Sequence, residues 1–442
     1  MPGKTTRLQN SRLATNQQLV DRYVRLYDYS FTEQIPMRKI NLENTIAAGK
    51  RTIKEINQKL ILNLIREQQP ISRVEIARQT QLQRSTVTII TNRLLQQQWI
   101  CEGESGRYGG GRRPKNLYLN TNRFHVLGVE VSKDETILAL ADLNGKLLSR
   151  EYMKTKVDDS RFFVHLGEKI QRFSKQSRSR TGIKVAGVGV GLPGYIEKTT
   201  GRIIAAENFG WMDVAAGDYL RKRFDLPIYF GNTAKLGAFA EMWFAESKNG
   251  SLHNFVYVTT RDGLGTGIVL NGEIYNGARD GAAEFGHFSL FPDGERCVCG
   301  NYGCWELYAS DMATVKRYVL SLNGSERPPR GSSPLTIGKV IERAHRGDKA
   351  ACEALQTTAK YLGLGITNLV FGLNPERVIV GDELVHAWDI IGEIICSTVQ
   401  SRVPSYYADD LKITCSSIKE MPSLLGAIAL VLANLFSFAT NP

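Results

Sequence analysis

One histidine and three cysteines lie close together in the chain, and their spacing restricts what this segment can fold into. They follow the pattern H-x9-C-x-C-x4-C, at positions His287, Cys297, Cys299 and Cys304. Three thiolates and one imidazole are a common ligand set for a tetrahedral structural zinc ion. Glycines at positions 300 and 303 would let the short loop turn tightly enough for the sulfur atoms to converge. The sequence therefore predicts one structural zinc ion per chain, held by these four side chains.

The composition is that of a globular protein in a reducing compartment. The chain has 442 residues, enough for two or three domains, and 42% of them are hydrophobic. Three of its seven cysteines belong to the cluster, which argues against a disulfide framework, and the N-terminus lacks the apolar segment of a secretion signal. The most apolar run, Leu424–Ala439, has 16 residues, whereas a membrane span needs about 20. We expect a cytoplasmic protein without a membrane span, in which this run is a buried helix; the alternative is a helix at a membrane surface.

The basic residues are concentrated in the first quarter of the chain. Residues 1–120 contain 20 lysines and arginines against 9 aspartates and glutamates, so they carry +11 of the net charge of +12. A localised positive field of this kind is typical of a module that binds a polyanion such as DNA. Residues 1–50 are polar, and we expect a basic, partly disordered arm with one helix around residues 17–29.

Residues 51–120 have the pattern of a winged helix-turn-helix domain. Apolar residues recur at helical spacing from Ile53, and Pro70 ends that helix. The segment Ser72–Glu75 is a capping box that opens a short second helix, and a third helix is expected over about 84–98. The basic, glycine-rich loop at 106–115 lies between two short predicted strands and would form the wing. Together with the charge, this arrangement indicates binding to double-stranded operator DNA.

The third helix and the wing supply the candidate DNA contacts. Val87, Ile90 and Leu94 share an apolar face of the helix, and its other faces carry Arg84, Ser85, Thr86, Thr88, Ile89 and Asn92. Short polar side chains on such a helix can reach base edges, and wing arginines can contact phosphates or the minor groove. The expected contacts are Arg84, Ser85, Thr86, Thr88, Asn92, Arg107, Arg112 and Arg113. The alternative for each helix residue is a solvated surface position.

From residue 121 the chain alternates between strands and helices, which places it in the α/β class. We expect strands at 124–131, 136–143, 185–192, 254–260, 267–274 and 377–382, and helices at 162–175, 234–246, 336–347, 349–372 and 385–400. Glycine-rich turns follow two of these strands, at Gly191–Gly194 and Asp262–Gly267, where α/β proteins often bind small ligands. We divide this part into a first α/β lobe, 121–233, and a second lobe, 234–442, that contains the predicted zinc site.

Five motifs in this part are similar to those of the ROK family, which is named for repressors, open reading frames and kinases. They are GLPG at 191–194, NFGW at 208–211, GLGTGI at 263–268, EFGH at 284–287 and CVCGNYGCWE at 297–306. The resemblance covers about residues 52–435, and the winged helix with its GGGRRP loop resembles the NagC/XylR type of regulator. The resemblance implies an actin/hexokinase-like pair of α/β lobes with a sugar bound in the cleft between them.

The resemblance also assigns roles to particular residues of this chain. His287, Cys297, Cys299 and Cys304 match the zinc ligands of the family, and the sugar-contacting positions match Asn208, Asn232, Glu284, His287 and Glu306. Amides and carboxylates suit sugar hydroxyls, which both donate and accept hydrogen bonds. Two alternatives remain open: the asparagines could only shape turns, and the glutamates could only orient the metal-bound histidine.

Three stretches depart from the kinases of the family. Glu130–Asp134 has no glycine where the kinases carry an Asp-x-Gly-Gly-Thr phosphate turn. Thr233 stands where they carry the catalytic aspartate, and a threonine hydroxyl cannot act as a general base at neutral pH. The turn at Gly381–Glu383 lacks their double glycine. The sequence therefore predicts a protein without catalytic residues.

The function we expect is that of a transcriptional regulator, a repressor of carbohydrate-metabolism genes that responds to a sugar or sugar phosphate. It would bind DNA as a homo-oligomer, either a dimer or a dimer of dimers. One alternative is a sugar kinase of the same family fused to a DNA-binding domain. The other is a regulator whose effector is a protein, such as a component of a transport system.

Overall fold

The chain forms two compact units, Met1–Leu119 with Phe436–Pro442, and Asn120–Leu435. The computed structural model describes residues 50–105, 115–158, 160–181, 183–245, 252–322 and 335–436. The predicted N-terminal arm up to residue 49, its helix at 17–29, and three wing residues lie outside the described ranges. Those three residues are Arg107, Arg112 and Arg113.

The first unit has the helices and wing strands that the sequence predicts. Its helices are α1 (Lys50–Gln68), α2 (Arg73–Thr80) and α3 (Arg84–Gln96). Its strands are β1 (Ile71–Ser72), β2 (Ile100–Ser105) and β3 (Lys115–Leu119), in the antiparallel order β1-β3-β2. This is a winged helix-turn-helix.

Local capping fixes how α2 and α3 follow each other. The Ser72 hydroxyl accepts a hydrogen bond from the Glu75 amide at 3.3 Å, and the Glu75 carboxylate accepts one from the Ser72 amide at 2.8 Å. This confirms the capping box. Gln81 adopts a left-handed conformation with φ of 54° and ends α2 before the turn into α3. Because α3 buries the predicted face of Val87, Ile90 and Leu94, the opposite face of α3 lies in solvent.

The second unit contains two five-stranded sheets with the same topology. The first sheet consists of β4 (Phe124–Val131), β5 (Glu135–Asp142), β6 (Leu147–Lys154), β7 (Lys184–Leu192) and, after three short strands, β11 (Ile228–Asn232). The short strands β8 (Tyr195–Glu197), β9 (Arg202–Ala206) and β10 (Trp211–Val214) form a separate sheet. The second five-stranded sheet consists of β12 (Phe255–Thr259), β13 (Gly265–Leu270), β14 (Glu273–Ile274), β15 (Arg377–Val380) and β16 (Lys412–Cys415).

In each large sheet three consecutive antiparallel strands are extended by two later strands in parallel. The orders are β11-β7-β4-β5-β6 and β14-β13-β12-β15-β16, so in each sheet the fourth strand pairs with the first and the fifth strand pairs with the fourth. This duplication is the actin/hexokinase-like fold that the resemblance implies. One predicted strand was wrong: 267–274 is a hairpin, because Asn271 and Gly272, with φ of 53° and 75°, turn the chain between β13 and β14.

The second unit also contains helices, several of which pack on the two sheets. They are α4 (Phe162–Thr181), α5 (Ala216–Arg221), α6 (Thr233–Phe244), α7 (Glu306–Ala309), α8 (Asp311–Ser321), α9 (Ile337–His345), α10 (Lys349–Leu373), α11 (Trp388–Gln400), α12 (Ser405–Ala408) and α13 (Pro422–Phe436). Among the described residues, short 3₁₀ helices lie at Glu207–Phe209, Phe285–His287 and Asp382–Ala387. Within the described ranges, no helix is long and apolar enough to cross a membrane.

The buried C-terminal helix returns to the first sheet. A methyl group added at Gly189 would lie 1.9 Å from the carbonyl oxygen of Ala427, and one at Gly128 would lie 2.6 Å from the Ile428 side chain. The backbone of α13 can therefore approach the sheet only because these strand positions are glycine. Our proposed division grouped this segment with the second lobe, whereas α13 packs on the sheet of the first.

Gly189→Ala should destabilise the second unit by about 1–3 kcal/mol, because the added methyl group forces the helix away from the sheet. Gly372→Ala is the matched control: it lies in α10, has no heavy atom within 4 Å of the added methyl group, and replaces glycine by a better helix former. Urea denaturation followed by tryptophan fluorescence would measure both. Equal unfolding midpoints for the two variants would contradict the close packing of α13.

Candidate functional site

A cavity of about 250 Å³ lies between the two lobes of the second unit. Its walls come from the turn after β7, the 3₁₀ helix at Glu207–Phe209, the start of α6, the turn between β12 and β13, and the segments around residues 284–287 and 306. The lining includes all five predicted sugar-contacting residues: Asn208, Asn232, Glu284, His287 and Glu306. The fold therefore brings together residues that are up to 98 positions apart in the chain.

Asn232 both shapes the site and lines it. Its Oδ1 accepts hydrogen bonds from the amides of Ala234 and Lys235, at 2.9 and 3.1 Å, and so caps α6. Its Nδ2 donates to the Gly194 carbonyl at 2.8 Å. Gly194 has φ of 73°, and a methyl group there would lie 2.1 Å from the Ala205 carbonyl oxygen. Asn232 therefore has the turn-forming role that the sequence left open as an alternative. Of the two N–H groups of its side-chain amide, one is used in this way and the other remains for a ligand.

Asn208 and Glu306 meet across the cleft. Asn208 Nδ2 donates to the Asp262 carbonyl at 2.9 Å and lies 3.4 Å from the Glu306 carboxylate. Glu306 is only 5% exposed, and its other oxygen lies 2.9 Å from Cys297 Sγ and 3.3 Å from His287 Nδ1. The Glu306 carboxylate thus faces both the cavity and the cysteine cluster, which is compatible with contacting a sugar and with orienting the histidine.

The four predicted zinc ligands converge. One ligand atom from each of His287, Cys297, Cys299 and Cys304 lies within 4.8 Å of the others. Cys299 Sγ is 3.7 Å from Cys304 Sγ, and Cys297 Sγ is 3.8 Å from His287 Nδ1. A tetrahedral ion with bonds of about 2.3 Å to sulfur requires ligand atoms about 3.8 Å apart. The donor set and these spacings fit a zinc ion.

The loop that carries the cysteines depends on two glycines, as the sequence predicts. Gly300 and Gly303 have φ of 93° and 62°, conformations that favour glycine. A methyl group at Gly303 would lie 1.6 Å from the Phe291 carbonyl oxygen. The Asn301 amide donates to the His287 carbonyl at 2.8 Å and ties the loop to the segment that carries the histidine. The glycine turns and this side-chain hydrogen bond hold the ligand set together.

A polar bridge between the lobes escaped the sequence analysis. Arg261, in the turn after β12, lies 3.0 Å from the Glu130 carboxylate and donates to the Ser132 hydroxyl at 3.0 Å. Glu130 is 2% exposed; burial raises the pKa of its carboxyl group, and the positive charge of Arg261 opposes that rise. The adjacent Asp262 carboxylate accepts a hydrogen bond from the Lys133 amide at 3.0 Å. The two segments belong to different lobes, so these contacts hold the lobes together.

A smaller cavity lies next to the main one and shares part of its lining. The smaller cavity, of about 20 Å³, has room for about one water molecule. Thr233, Thr259, Arg261 and Asp262 line both cavities. Beyond them, the turn at Gly381 packs so closely on Tyr257 that a methyl group at Gly381 would lie 1.9 Å from the tyrosine oxygen. Tyr257 therefore packs directly against the backbone of this turn.

The solvent face of α3 carries four of the five predicted base-contacting residues as exposed side chains: Arg84, Ser85, Thr88 and Asn92. Thr86 is half-buried. Arg73 was missed by the sequence analysis. It donates to Thr91 Oγ1 at 3.0 Å, approaches Asn92 Oδ1 at 3.4 Å and pairs with Glu102 of β2 at 2.8 Å. This network fixes α3 relative to the wing strands.

These features define the class: a two-lobed, kinase-like unit with a polar cavity in a chain that also has a winged helix-turn-helix unit. The chain matches the ROK family over residues 126–434 and the MarR family over residues 55–101. It belongs to the ROK family.

Proteins that are similar to this chain over nearly their whole length include repressors. The xylose repressor of Caldicellulosiruptor bescii is 30% identical over 407 residues, which cover 88% of this chain and 99% of that protein. The DNA-binding transcriptional dual regulator NagC of Escherichia coli K12 is 29% identical over 389 residues, covering 86% and 93%.

Two solved structures illustrate the fold. The crystal structure of a ROK family transcriptional regulator, a homologue of the E. coli MLC protein, has a TM-score of 0.72 at 26% identity and covers 87% of this chain and 98% of that one. A ROK family glucokinase from Streptomyces griseus, in complex with glucose and AMPPNP, has a TM-score of 0.60 at 24% identity and covers 69% and 98%. The glucokinase shares the fold of the two lobes.

Arg261→Met should destabilise the second unit by about 3 kcal/mol, because it leaves the Glu130 carboxylate buried and unpaired. Adding Glu130→Leu should recover most of that loss, since the pair is then replaced by apolar groups. Arg202→Met, which breaks the exposed ion pair with Asp213, is the control and should leave the midpoint nearly unchanged. Urea denaturation measures all three; a double variant that is less stable than Arg261→Met would contradict the pairing.

Proposed function

We propose that this chain is a sugar-responsive transcriptional repressor. The winged helix-turn-helix unit binds operator DNA, and the cavity between the lobes binds the sugar that controls it. The observation that carries the proposal is that Asn208, Asn232, Glu284, His287 and Glu306 all line one cavity in a chain that also has a winged helix. The names of the xylose repressor and of NagC support the same function.

The cavity offers the hydrogen-bonding groups that a sugar needs. Because Asn208 uses its Nδ2 within the protein, it would offer Oδ1 to a sugar hydroxyl, whereas Asn232 would offer an N–H. The carboxylates of Glu284 and Glu306 would accept further hydroxyl hydrogens. A ring of hydroxyls that donate and accept is matched by this mixture of groups, which supports a sugar over an apolar ligand.

On the DNA side, Arg84, Ser85, Thr88 and Asn92 would contact base edges or phosphates, with Thr86 in a supporting position. Arg107, Arg112 and Arg113 would add phosphate or minor-groove contacts from the wing. A winged helix of this size covers one half-site, so the regulator would act as a dimer, or as a dimer of dimers, on paired half-sites.

The cysteine cluster would hold one structural zinc ion through His287, Cys297, Cys299 and Cys304. A bound zinc ion would supply a fixed tetrahedral junction for the loop. Because His287 would bind through Nδ1, its other nitrogen would be left for the sugar or for neighbouring groups. Glu306 begins α7 directly after this loop, so the same junction would also fix its carboxylate.

Phosphoryl transfer is not part of the proposal. Thr233 offers no general base, and Arg261 with Glu130 occupies the region next to it. Of the two cavities that Thr233 lines, the smaller has room for about one water molecule and the larger is the proposed sugar site. The kinase alternative rests on the fold alone, which hosts several functions.

The purified protein should contain about one equivalent of zinc per chain by metal analysis. Cys299→Ala should lose the metal and lower the thermal midpoint, because binding of a structural metal contributes directly to folding. Cys352→Ala, a cysteine outside the cluster, should keep the metal. Full zinc occupancy in Cys299→Ala would refute the ligand assignment.

Sugars that raise the thermal midpoint should also change operator affinity, by about 5- to 150-fold or 1–3 kcal/mol of coupling. Fluorescence anisotropy with operator DNA, with and without sugar, measures this effect. Glu284→Gln should bind DNA like the wild type but respond only at much higher sugar concentration. Glu273→Gln, an exposed carboxylate on β14 outside the cavity, should respond normally.

The same samples separate the alternatives. Sugar-dependent consumption of ATP that is lost in Glu284→Gln would favour the kinase. Release of DNA by a transport protein, with no effect of any sugar, would favour the protein effector. A Glu284→Gln variant that releases DNA at the wild-type sugar concentration would rule out this cavity as the sensor.

A further inference from the structure

The solvent face of α3 carries an apolar side chain among polar ones. Ile89 is 61% exposed. It lies four residues after Ser85 and three before Asn92, so the three side chains form one stripe along the helix. Among the described residues of the first unit, the other large apolar side chain that is exposed is Val74 of α2, at 51%. The centre of the face that would meet DNA is therefore aliphatic.

Ile89 contributes little to the fold of its own unit. The opposite face of α3, with Val87, Ile90 and Leu94, makes the buried contacts. A β-branched residue on the surface of a helix is a weaker helix former than alanine or lysine, and its exposed apolar surface gains nothing in water. The residue gains free energy when a partner covers it.

The neighbours of Ile89 enlarge the apolar strip. The Thr88 hydroxyl donates to the Arg84 carbonyl at 2.8 Å, so its hydrogen is already used within the helix and its methyl group adds to the strip. Asn92, held by Arg73, is the polar end of the stripe. An asparagine amide pairs well with the N6 and N7 atoms of adenine, whose partner base is thymine.

The major groove presents one apolar group to such a strip, the 5-methyl group of thymine. An aliphatic side chain placed over cytosine or guanine would instead bury a donor or acceptor without a partner, which costs free energy. We propose that Ile89 is a specificity residue that reads a thymine methyl group in each half-site. This inference rests on the proposed function, because it requires α3 to enter the major groove.

The test begins with the full chain and a random pool of DNA duplexes, from which the bound sequences are selected. Each thymine of the selected duplex is then replaced, one at a time, by deoxyuridine, which removes only the methyl group. Affinities are measured by fluorescence anisotropy at one fixed salt concentration, for the wild type, Ile89→Ala and the control Val74→Ala.

We expect the wild type to lose about 4-fold in affinity at one thymine of each half-site, the effect of one buried methyl group. Ile89→Ala should bind the thymine duplex several-fold more weakly and show no further loss with deoxyuridine at that position. Val74→Ala should keep the wild-type profile. At the same position, cytosine should bind weakly and 5-methylcytosine should recover part of the affinity.

Two results would overturn the inference while the regulator still binds DNA. One is a wild-type profile without any thymine whose methyl group matters. The other is an Ile89→Ala profile that matches the wild type at every thymine. Failure of the selection to enrich any duplex would instead overturn the DNA-binding function on which the inference rests.

Discussion

The turn at Arg261–Gly263 is the polar joint on which the site between the lobes depends. Arg261 pairs with the buried Glu130 of the opposite lobe, and the Asp262 carbonyl accepts from Asn208, also of that lobe. Gly263 has φ of 146°, and a methyl group there would lie 2.8 Å from Asn208 Nδ2. This one turn thus connects the two lobes through polar contacts and also forms a wall of the cavity. A ligand in the cavity would contact the same segment that sets the distance between the lobes.

The same joint brings a buried ion pair next to Thr233. A buried ion pair contributes little net stability compared with an apolar pair, because desolvation offsets the attraction, but it fixes one arrangement of the groups around it. Here Arg261 and Glu130 line the smaller cavity together with Thr233, which stands where the kinases of the family carry a catalytic aspartate. The fold hosts several functions, so the side chains around Thr233, and not the fold, would decide whether the unit transfers a phosphoryl group.

The cysteine cluster lies directly beside the cavity between the lobes. Glu306 contacts Asn208 on the cavity side and lies beside Cys297 and His287 on the other. Any movement of the loop is therefore transmitted to two groups that line the cavity, His287 and Glu306. A metal ion bound at the cluster would keep these groups in place when the cavity is empty, which would reduce the entropy lost when a ligand orders them.

The sequence by itself determined the features that depend on nearby residues. The capping box at Ser72, the glycine turns of the cysteine loop and the buried face of α3 each arise from side chains within a few positions, and all three are present in the structure. The five motif residues of the cavity were found through resemblance, and the fold places them on one cavity. The position of Ile89 outside the apolar face of α3 can be read from the sequence, but only its exposure in the structure indicates that it is available to a partner.

The tertiary structure alone decided the contacts between distant segments. Arg261 and Glu130 are 131 positions apart, and no local pattern in either segment indicates that they pair. In the same way, α13 packs on the first sheet through Gly189, and β6, whose side chains are mostly exposed, lacks the apolar run that predicts a strand. The physical reason is that periodicity and turn chemistry report on neighbours along the chain, whereas burial, ion pairing and cavity shape are fixed by whichever segments the completed fold brings together.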